Sequence, residues 1–324
     1  MPLLLTGSIA TDHLMTYGGV FSESLIADQL HSLSVSFLVD ALDVRRGGVA
    51  PNICFGLGRL GLRPVLVGSA GKDFGEYGAW LEAHGVDCSS VRISETLHTA
   101  RFVCTTDTTM AQIASFYPGA MSEAGEISLE PIVARVGTPD YVVISANDPA
   151  AMARHTAECV EKGYPFIADP SQQLTFADGK LIRTLVDGAA LLFSNEYESH
   201  VILDKTGWTA EEVLSRVGIQ VTTLGARGVR ITRQGEATIT IPGVPDVHAV
   251  EPTGAGDAFR SGFLAASSWG LSLERAAQTG CVIASYSVET IGTQEYSFTN
   301  EEFVARLRGA YGDEAADEVE KHLN

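Results

Sequence analysis

The chain has 324 residues, 45% of them hydrophobic and 19% charged, which is enough apolar material for a full core and excludes a disordered polymer. Lysine and arginine number 22 against 40 aspartates and glutamates, and the resulting formal charge of −18 repels nucleic-acid backbones and anionic lipid, so neither is an expected partner. A nucleotide is still admissible, because helix N-termini and a divalent cation such as magnesium can neutralise its phosphates locally.

The opening Met1-Pro2-Leu3-Leu4-Leu5-Thr6 has neither the basic region nor the long apolar run of a signal peptide, and no stretch approaches the ~18 uncharged apolar residues of a spanning helix. Cys54, Cys88, Cys104, Cys159 and Cys281 are scattered, odd in number and never in a C-x-x-C pair, which argues for a reducing compartment and against structural zinc. The expected location is cytoplasmic.

Leu3 to Thr6 reads as a buried strand that ends at Gly7-Ser8 and opens into a loop containing Asp12. Loops at the carboxyl ends of strands carry ligands in open α/β sheets, so Ser8 and Asp12 are candidate contacts, although Asp12 can equally be a turn former. Val35 to Val44 alternates like a strand, and Thr99 to Thr105 with Met110 to Tyr117 has the pattern of a hairpin around Thr106-Asp107-Thr108-Thr109. These strands fall outside the helix–strand rhythm of the rest and predict a small β-structure, a lid or dimer clasp, carrying Phe37, Phe102 and Phe116. For any one of those aromatics, ordinary packing is the plainer alternative.

Gly47-Gly48-Val49-Ala50-Pro51-Asn52 leads into a helix running through Leu60, with Pro51 in its first turn. Inside it, Gly56 to Gly61 matches G-x-G-x-x-G, but the glycines fall late in a helix and before a strand, the wrong context for a dinucleotide fingerprint. Gly71-Lys72 likewise lacks the flanking residues of a Walker loop.

From Val65 the pattern alternates: strands at Val65 to Ala70, Tyr141 to Ser145, Phe166 to Asp169, Leu191 to Ser194 and Ile219 to Leu224, separated by helical stretches. Continuous apolar strands joined by long crossovers imply a parallel sheet covered on both faces. Asp169-Pro170-Ser171-Gln172-Gln173 and Asn195-Glu196-Tyr197-Glu198 sit at strand ends facing the crevice, with Asn195 also a good helix cap. Thr223-Leu224-Gly225-Ala226-Arg227-Gly228 closes the next strand before a hairpin of Gly228 to Arg233 and Glu236 to Ile241, and its glycines suit either a phosphate or a simple turn. The acidic tail from Glu301 reads as surface helix.

Glu251-Pro252-Thr253-Gly254-Ala255-Gly256-Asp257 precedes a small-residue helical segment. Two glycines and a helix N-terminus aim amide donors at one point, which suits an anion, and an Asp placed there can take a proton beside a transferring phosphoryl group. A glycine-rich turn with a capping Asp is the plainer alternative.

Taken in order, Gly47-Gly48-x-x-x-Asn52, Asn195-x-x-Glu198, Thr223-x-Gly225-x-x-Gly228 and Pro252-Thr253-Gly254-Ala255-Gly256-Asp257 resemble the motif set of the ribokinase-like carbohydrate and nucleoside kinases, the PfkB family. Gly7 to His13, Gln112 to Met121 and Asp169 to Gln173 are most similar to bacterial adenosine kinases of actinobacterial type.

The resemblance implies one ribokinase-like α/β domain over residues 1–324, doubly wound with helices on both faces, and a small β-sheet lid within about residues 13–48 and 98–120. It implies ATP-dependent phosphorylation of the adenosine 5′-hydroxyl in purine salvage, with Asp257 as base and Gly254, Ala255 and Gly256 as anion hole. Asp12 and Asn52 would hold ribose hydroxyls with Ser8, Ser36 and Gly48 nearby, Gln172 or Gln173 would reach the base, and Phe37, Phe102 and Phe116 would enclose a purine. Asn195 and Glu198 would position magnesium through water. Asn195, Gly256 and the loop Thr223, Gly225, Ala226, Gly228 would cradle ATP, and a monovalent cation such as K+ is a further implied cofactor. A ribose or other sugar kinase, and a catalytically silent nucleotide-binding regulator, are the alternatives. The unpaired edges of a small lid predict a homodimer through the lid strands. In one respect the chain departs from the family pattern: its late signature opens on Glu251, where Asp, Asn, Ser or Lys is usual.

Overall fold

The structure, a computed structural model, describes residues 2–24 and 34–323. In chain order its elements are β1 (Leu3–Thr6), β2 (Ala10–Thr16), α1 (Phe21–Ser24), β3 (Ala41–Gly47), α2 (Val49–Arg59), β4 (Val65–Ala70), α3 (Gly75–Ala83), β5 (Val91–Ile93), β6 (Ala100–Thr106), β7 (Gln112–Tyr117), α4 (Glu130–Val136), β8 (Tyr141–Ser145) and α5 (Pro149–Lys162). They continue with β9 (Phe166–Asp169), α6 (Gly179–Val186), β10 (Leu191–Asn195), α7 (Glu196–Thr206), α8 (Ala210–Arg216), β11 (Ile219–Thr223), β12 (Val229–Thr232), β13 (Ile239–Ile241), α9 (Ala255–Ser268), α10 (Leu273–Val288), α11 (Asn300–Tyr311) and α12 (Asp313–Glu320).

Among the described residues the large sheet runs β13-β12-β11-β10-β9-β8-β1-β4-β5, parallel except where β12 and β13 turn back as the expected hairpin. Its central strands are apolar throughout because both faces are covered, as continuous runs require. Alternate residues serve opposite cores: Leu5, Val143, Ile167, Phe193 and Val221 pack with residues of α2, α9, α10 and α11, whereas Leu4, Ile144, Ala168 and Leu192 pack with residues of α4 to α8. This is the doubly wound, mostly parallel α/β architecture that the resemblance implies. No helix among the described residues is long and apolar enough to cross a membrane, and all five cysteines are free.

A second, four-stranded sheet has the order β3-β2-β6-β7, antiparallel at both flanks and parallel between β2 and β6. The small β-structure expected from the sequence is therefore present, with two changes. Its first strand starts at Ala10, so Asp12 lies on a strand and not in a loop. The strand expected at Val35 to Val44 is displaced to Ala41–Gly47, and Ser36 and Phe37 lie on the non-regular approach to it. Part of the first lid segment, residues 25–33, lies outside the described residues. The acidic tail is also more than a surface helix, since α11 buries Phe303, Val304 and Leu307 and α12 buries Ala315, Ala316 and Val319.

The misleading Gly56 to Gly61 pattern has a packing explanation. A Cβ at Gly56 would stand 2.2 Å from Ser261 Oγ, so this glycine lets α2 cross closely over α9. Asn52 precedes Gly56 by one helical turn and Asp257 precedes Ser261 by one turn, so the crossing that brings 56 to 261 also brings 52 to 257.

Candidate active site

The carboxyl ends of β1, β8, β9, β10 and β11 open on one side of the large sheet, the edge where ligands bind in open α/β folds. Above it stands the amino end of α9. Gly254 occupies the N-cap with φ +82 and supplies no side chain to the first-turn amides, whereas Asp148, Asn195, Thr209, Ser272 and Thr299 cap their own helices. An L side chain is strained at that φ, and its Cβ would meet the Thr293 methyl at 2.8 Å. Gly254, Ala255 and Gly256 thus lead into an uncapped helix start with Asp257 in its first turn.

The Asp257 side chain is only 15% exposed. Asn52 Nδ2 donates to its Oδ2 at 2.9 Å, and Arg260 Nη1 stands 4.0 Å from its Oδ1. Asn52 is held in turn by Thr293 Oγ1 and Gln294 Nε2, each 2.9 Å from its Oδ1, while Gln294 Nε2 also donates to the Tyr77 hydroxyl at 2.6 Å. Burial pushes the Asp257 carboxyl up to about 7. Arg260 and the Asn52 hydrogen bond pull against that rise, and Asp169 and Glu198 add to it. A carboxyl titrating there is half ionised near neutrality, where a general base works best.

Ser8 follows β1, is buried, and accepts from Val49 N at 3.3 Å. Gly48 caps α2 at φ +97, and a Cβ there would stand 2.4 Å from Ser8 O. The Asp12 carboxyl lies over Gly47 and is pushed up to about 6 by burial, against the pull of Arg45 and with a further push from Glu251. Paired positions Arg45, Asp12, Phe102 and Phe116 form one row across a face of the small sheet. Phe116 in that row is 50% exposed, an apolar surface open to a ligand. Phe37 instead packs on Tyr17 and Phe21, with ring centroids 5.0 Å away in each case, and Ser36 is exposed beside it. Gln172 is exposed and accepts from Ser171 Oγ at 2.7 Å, while Gln173 Nε2 donates to Asn147 O at 2.7 Å.

Asn195 and Glu198 form a reciprocal capping box, each backbone N–H donating to the other's side chain at 2.8 Å. The helix-capping role expected for Asn195 is therefore realised. Burial raises the Glu198 carboxyl above its ordinary range, with Arg260 opposing and Asp169 adding. Among the described residues no cluster of three His, Cys, Asp or Glu side chains forms a metal cage. Asn195 and Glu198, at the carboxyl end of β10, would fit a divalent ion that keeps most of its water. Thr223 ends β11, and Gly225, Ala226 and Arg227 form one 3₁₀ turn closed by Gly228 at φ +97. Arg227 pairs with Glu196, which ties this turn to the start of α7.

Four contributors escape a sequence reading: Arg260, Thr293, Gln294 and the ion-pair role of Asp169. Asp169 is fully buried, 2.6 Å from Arg260 Nη2, and accepts from Ser145 Oγ at 3.1 Å. Glu251 departs from the usual signature and receives Gly292 N at 3.0 Å and Arg45 Nη1 at 3.1 Å, joining the small sheet to the loop after α10.

Residues 12–300 match the family described as pfkB family carbohydrate kinase. A nucleoside kinase of Methanothermobacter thermautotrophicus is 29% identical over 288 residues, 88% of this chain and 92% of its own. A nucleoside kinase of Burkholderia thailandensis solved with inosine superposes with a TM-score of 0.84 at 31% identity, covering 96% of this chain and 99% of the other. Its complex with ADP and inosine superposes at 0.81 with 33% identity and 96% coverage of both.

Proposed function

The chain belongs to the pfkB family of carbohydrate kinases, and from that premise we propose that it transfers the γ-phosphoryl group of ATP to the ribose 5′-hydroxyl of adenosine, giving AMP and ADP. One observation carries the reading: a buried carboxylate titrating near neutrality stands in the first turn of an uncapped helix, and Asn52 and Thr293 link it by hydrogen bonds to β3 of the small sheet, one face of which combines Asp12 with Phe102 and Phe116.

Asp257 takes the proton of the 5′-hydroxyl as that oxygen bonds to the γ-phosphorus and the bond to the departing ADP oxygen breaks. Asn52 orients the base by holding Oδ2. The amides of Gly254, Ala255 and Gly256 receive the equatorial oxygens, where charge develops. Asp12, with Ser8 and Gly48 beneath, binds the ribose diol, and a substrate without hydroxyls leaves that carboxylate unpaired. Asn195 and Glu198 would hold a hydrated magnesium ion, which would supply positive charge to offset that of the nucleotide, and the Thr223 to Gly228 turn receives ATP. A monovalent cation such as K+ is a further proposed cofactor. Residues 1–324 act as one unit, with the small sheet as lid.

The aromatic row favours a nucleoside over a free sugar, and the inosine-bound relative supports a purine. Comparing adenosine, inosine and ribose at equal concentration in an ADP-release assay tests this. A preference for adenosine supports the proposal, a preference for ribose assigns a sugar kinase, and no ADP release from any of them assigns a silent regulator. Leu42, Val44 and Ile113 are exposed on the lid face opposite Asp12, which supports a dimer of lids. Light scattering should give twice the 34.4 kDa chain mass, and a monomer contradicts it.

A further inference from the structure

Arg260 lies in the otherwise small and apolar segment Ala258-Phe259-Arg260-Ser261-Gly262-Phe263, and its side chain is only 8% exposed. A guanidinium this buried needs fixed partners. Nη2 is 2.6 Å from Asp169 Oδ1 at the end of β9, Asp169 is itself held by Ser145 on β8, and the Phe193 ring lies 5.5 Å beneath. Nη1 points the other way, to within 4.0 Å of Asp257 Oδ1. A Cβ on Gly256 would stand 2.7 Å from Nη1, so the guanidinium also runs close beneath the last residue of the anion hole.

We propose that Arg260 is a positioning residue of the phosphoryl-transfer site. Anchored on Asp169, it keeps a fixed positive charge beneath both the base and the γ-phosphoryl oxygens without touching the nucleoside. This rests on Asp257 being the base. The groups that act on Asp257 are Arg260 on its own helix, Asp169 from β9 and Glu198 from α7, and the buried Tyr296 hydroxyl, itself raised by burial and by Asp257, faces it from the loop after α10. Arg260 supplies the positive charge in this group. An opposite charge at this range lowers a carboxyl pKa by about 1–3 units. Gly256 has a second reason to be glycine, since any side chain would push the guanidinium off its anchor.

The test measures kcat/KM against pH from 5.5 to 9 for the full chain, with the nucleoside the native enzyme turns over fastest, alongside nucleoside affinity by calorimetry. Arg260→Met should lower kcat by about 100-fold and move the acid limb upward by about 1 unit or more, with nucleoside affinity within about threefold of native. The double variant Arg260→Met/Asp169→Asn removes the buried pair together, so it carries the test if the single variant does not fold, and its limb should move upward by less. Arg260→Lys keeps the charge and should return the limb toward the native position. Activity lost with every limb unmoved, or lost in proportion to nucleoside affinity, overturns the proposal. Asp257→Asn separates the two claims: if it is inactive while the Arg260 variants keep the native limb, only the inference about Arg260 fails, and if it retains turnover, the assignment of the base fails.

Discussion

Asn52 Nδ2 donates to Asp257 Oδ2 at 2.9 Å across the crossing of α2 and α9, and the Thr293 and Gln294 contacts to Oδ1 fix which end of the amide faces the carboxylate. Asn52→Asp replaces that donor with a second carboxylate, and the two would share a proton and titrate as a pair. The acid limb of kcat should move above 7 and kcat at pH 7 should fall by about 100-fold. A pH profile of kcat checks this, and an unmoved limb would show that Asn52 does not act through the base.

Asp257 weakens the protein that it serves. In the folded state its carboxyl is pushed up to about 7, while in the unfolded chain it titrates near the ordinary value of about 3.9. Between these values the folded state keeps a proton that the unfolded state has lost, so the raised pKa favours folding fully below about 4 and that benefit is lost as pH rises through about 7. Asp257→Asn should therefore melt several degrees above the native protein at pH 8, with the gap narrowing toward pH 5, by calorimetry.

Asp12 supplies a second, separate titration. With its carboxyl pushed up to about 6, it is ionised above that value and protonated below it. The nucleoside KM should rise as pH drops below about 6, whereas the limb set by Asp257 falls near 7 and acts on kcat. Measuring kcat and KM separately across pH 5 to 8 resolves the two, and a KM that stays flat through 6 removes Asp12 from the sugar contact.

Phe102 and Phe116 face the same side of the lid as Asp12. Phe102→Ala should raise the adenosine KM by about 10-fold and leave that of ribose nearly unchanged, because only the nucleoside has a ring to enclose. Equal losses for both substrates would assign the ring to lid packing, the role that Phe37 already has against Tyr17 and Phe21.

The large sheet was legible because strands such as Val65 to Ala70 and Phe166 to Asp169 are buried on both faces and so are apolar without interruption. β5, at three residues and at the sheet edge, is too short for any periodicity. The sequence puts Asp12 in a loop because Gly7-Ser8 ends one strand so abruptly, while the next begins with a polar face that looks like a turn. The motif residues Asn52 and Asp257 could be found locally, through a helix start and a glycine pair. Thr293, Gln294 and Asp169 could not, since each reaches the site through a tertiary approach of elements far apart in the chain. Arg260 carried one signal, a charge inside a small-residue helical run, which reads as surface until the burial around it is known.

The claim that bears the rest is that Asp257 removes the proton while the amides beside it hold the migrating phosphoryl group. Its most direct measurement is steady-state turnover of Asp257→Asn with adenosine and ATP, paired with calorimetric binding of adenosine to the same variant. The account predicts turnover reduced by about 100-fold or more with adenosine binding retained within about threefold. Near-native turnover in a variant that binds adenosine normally would contradict it.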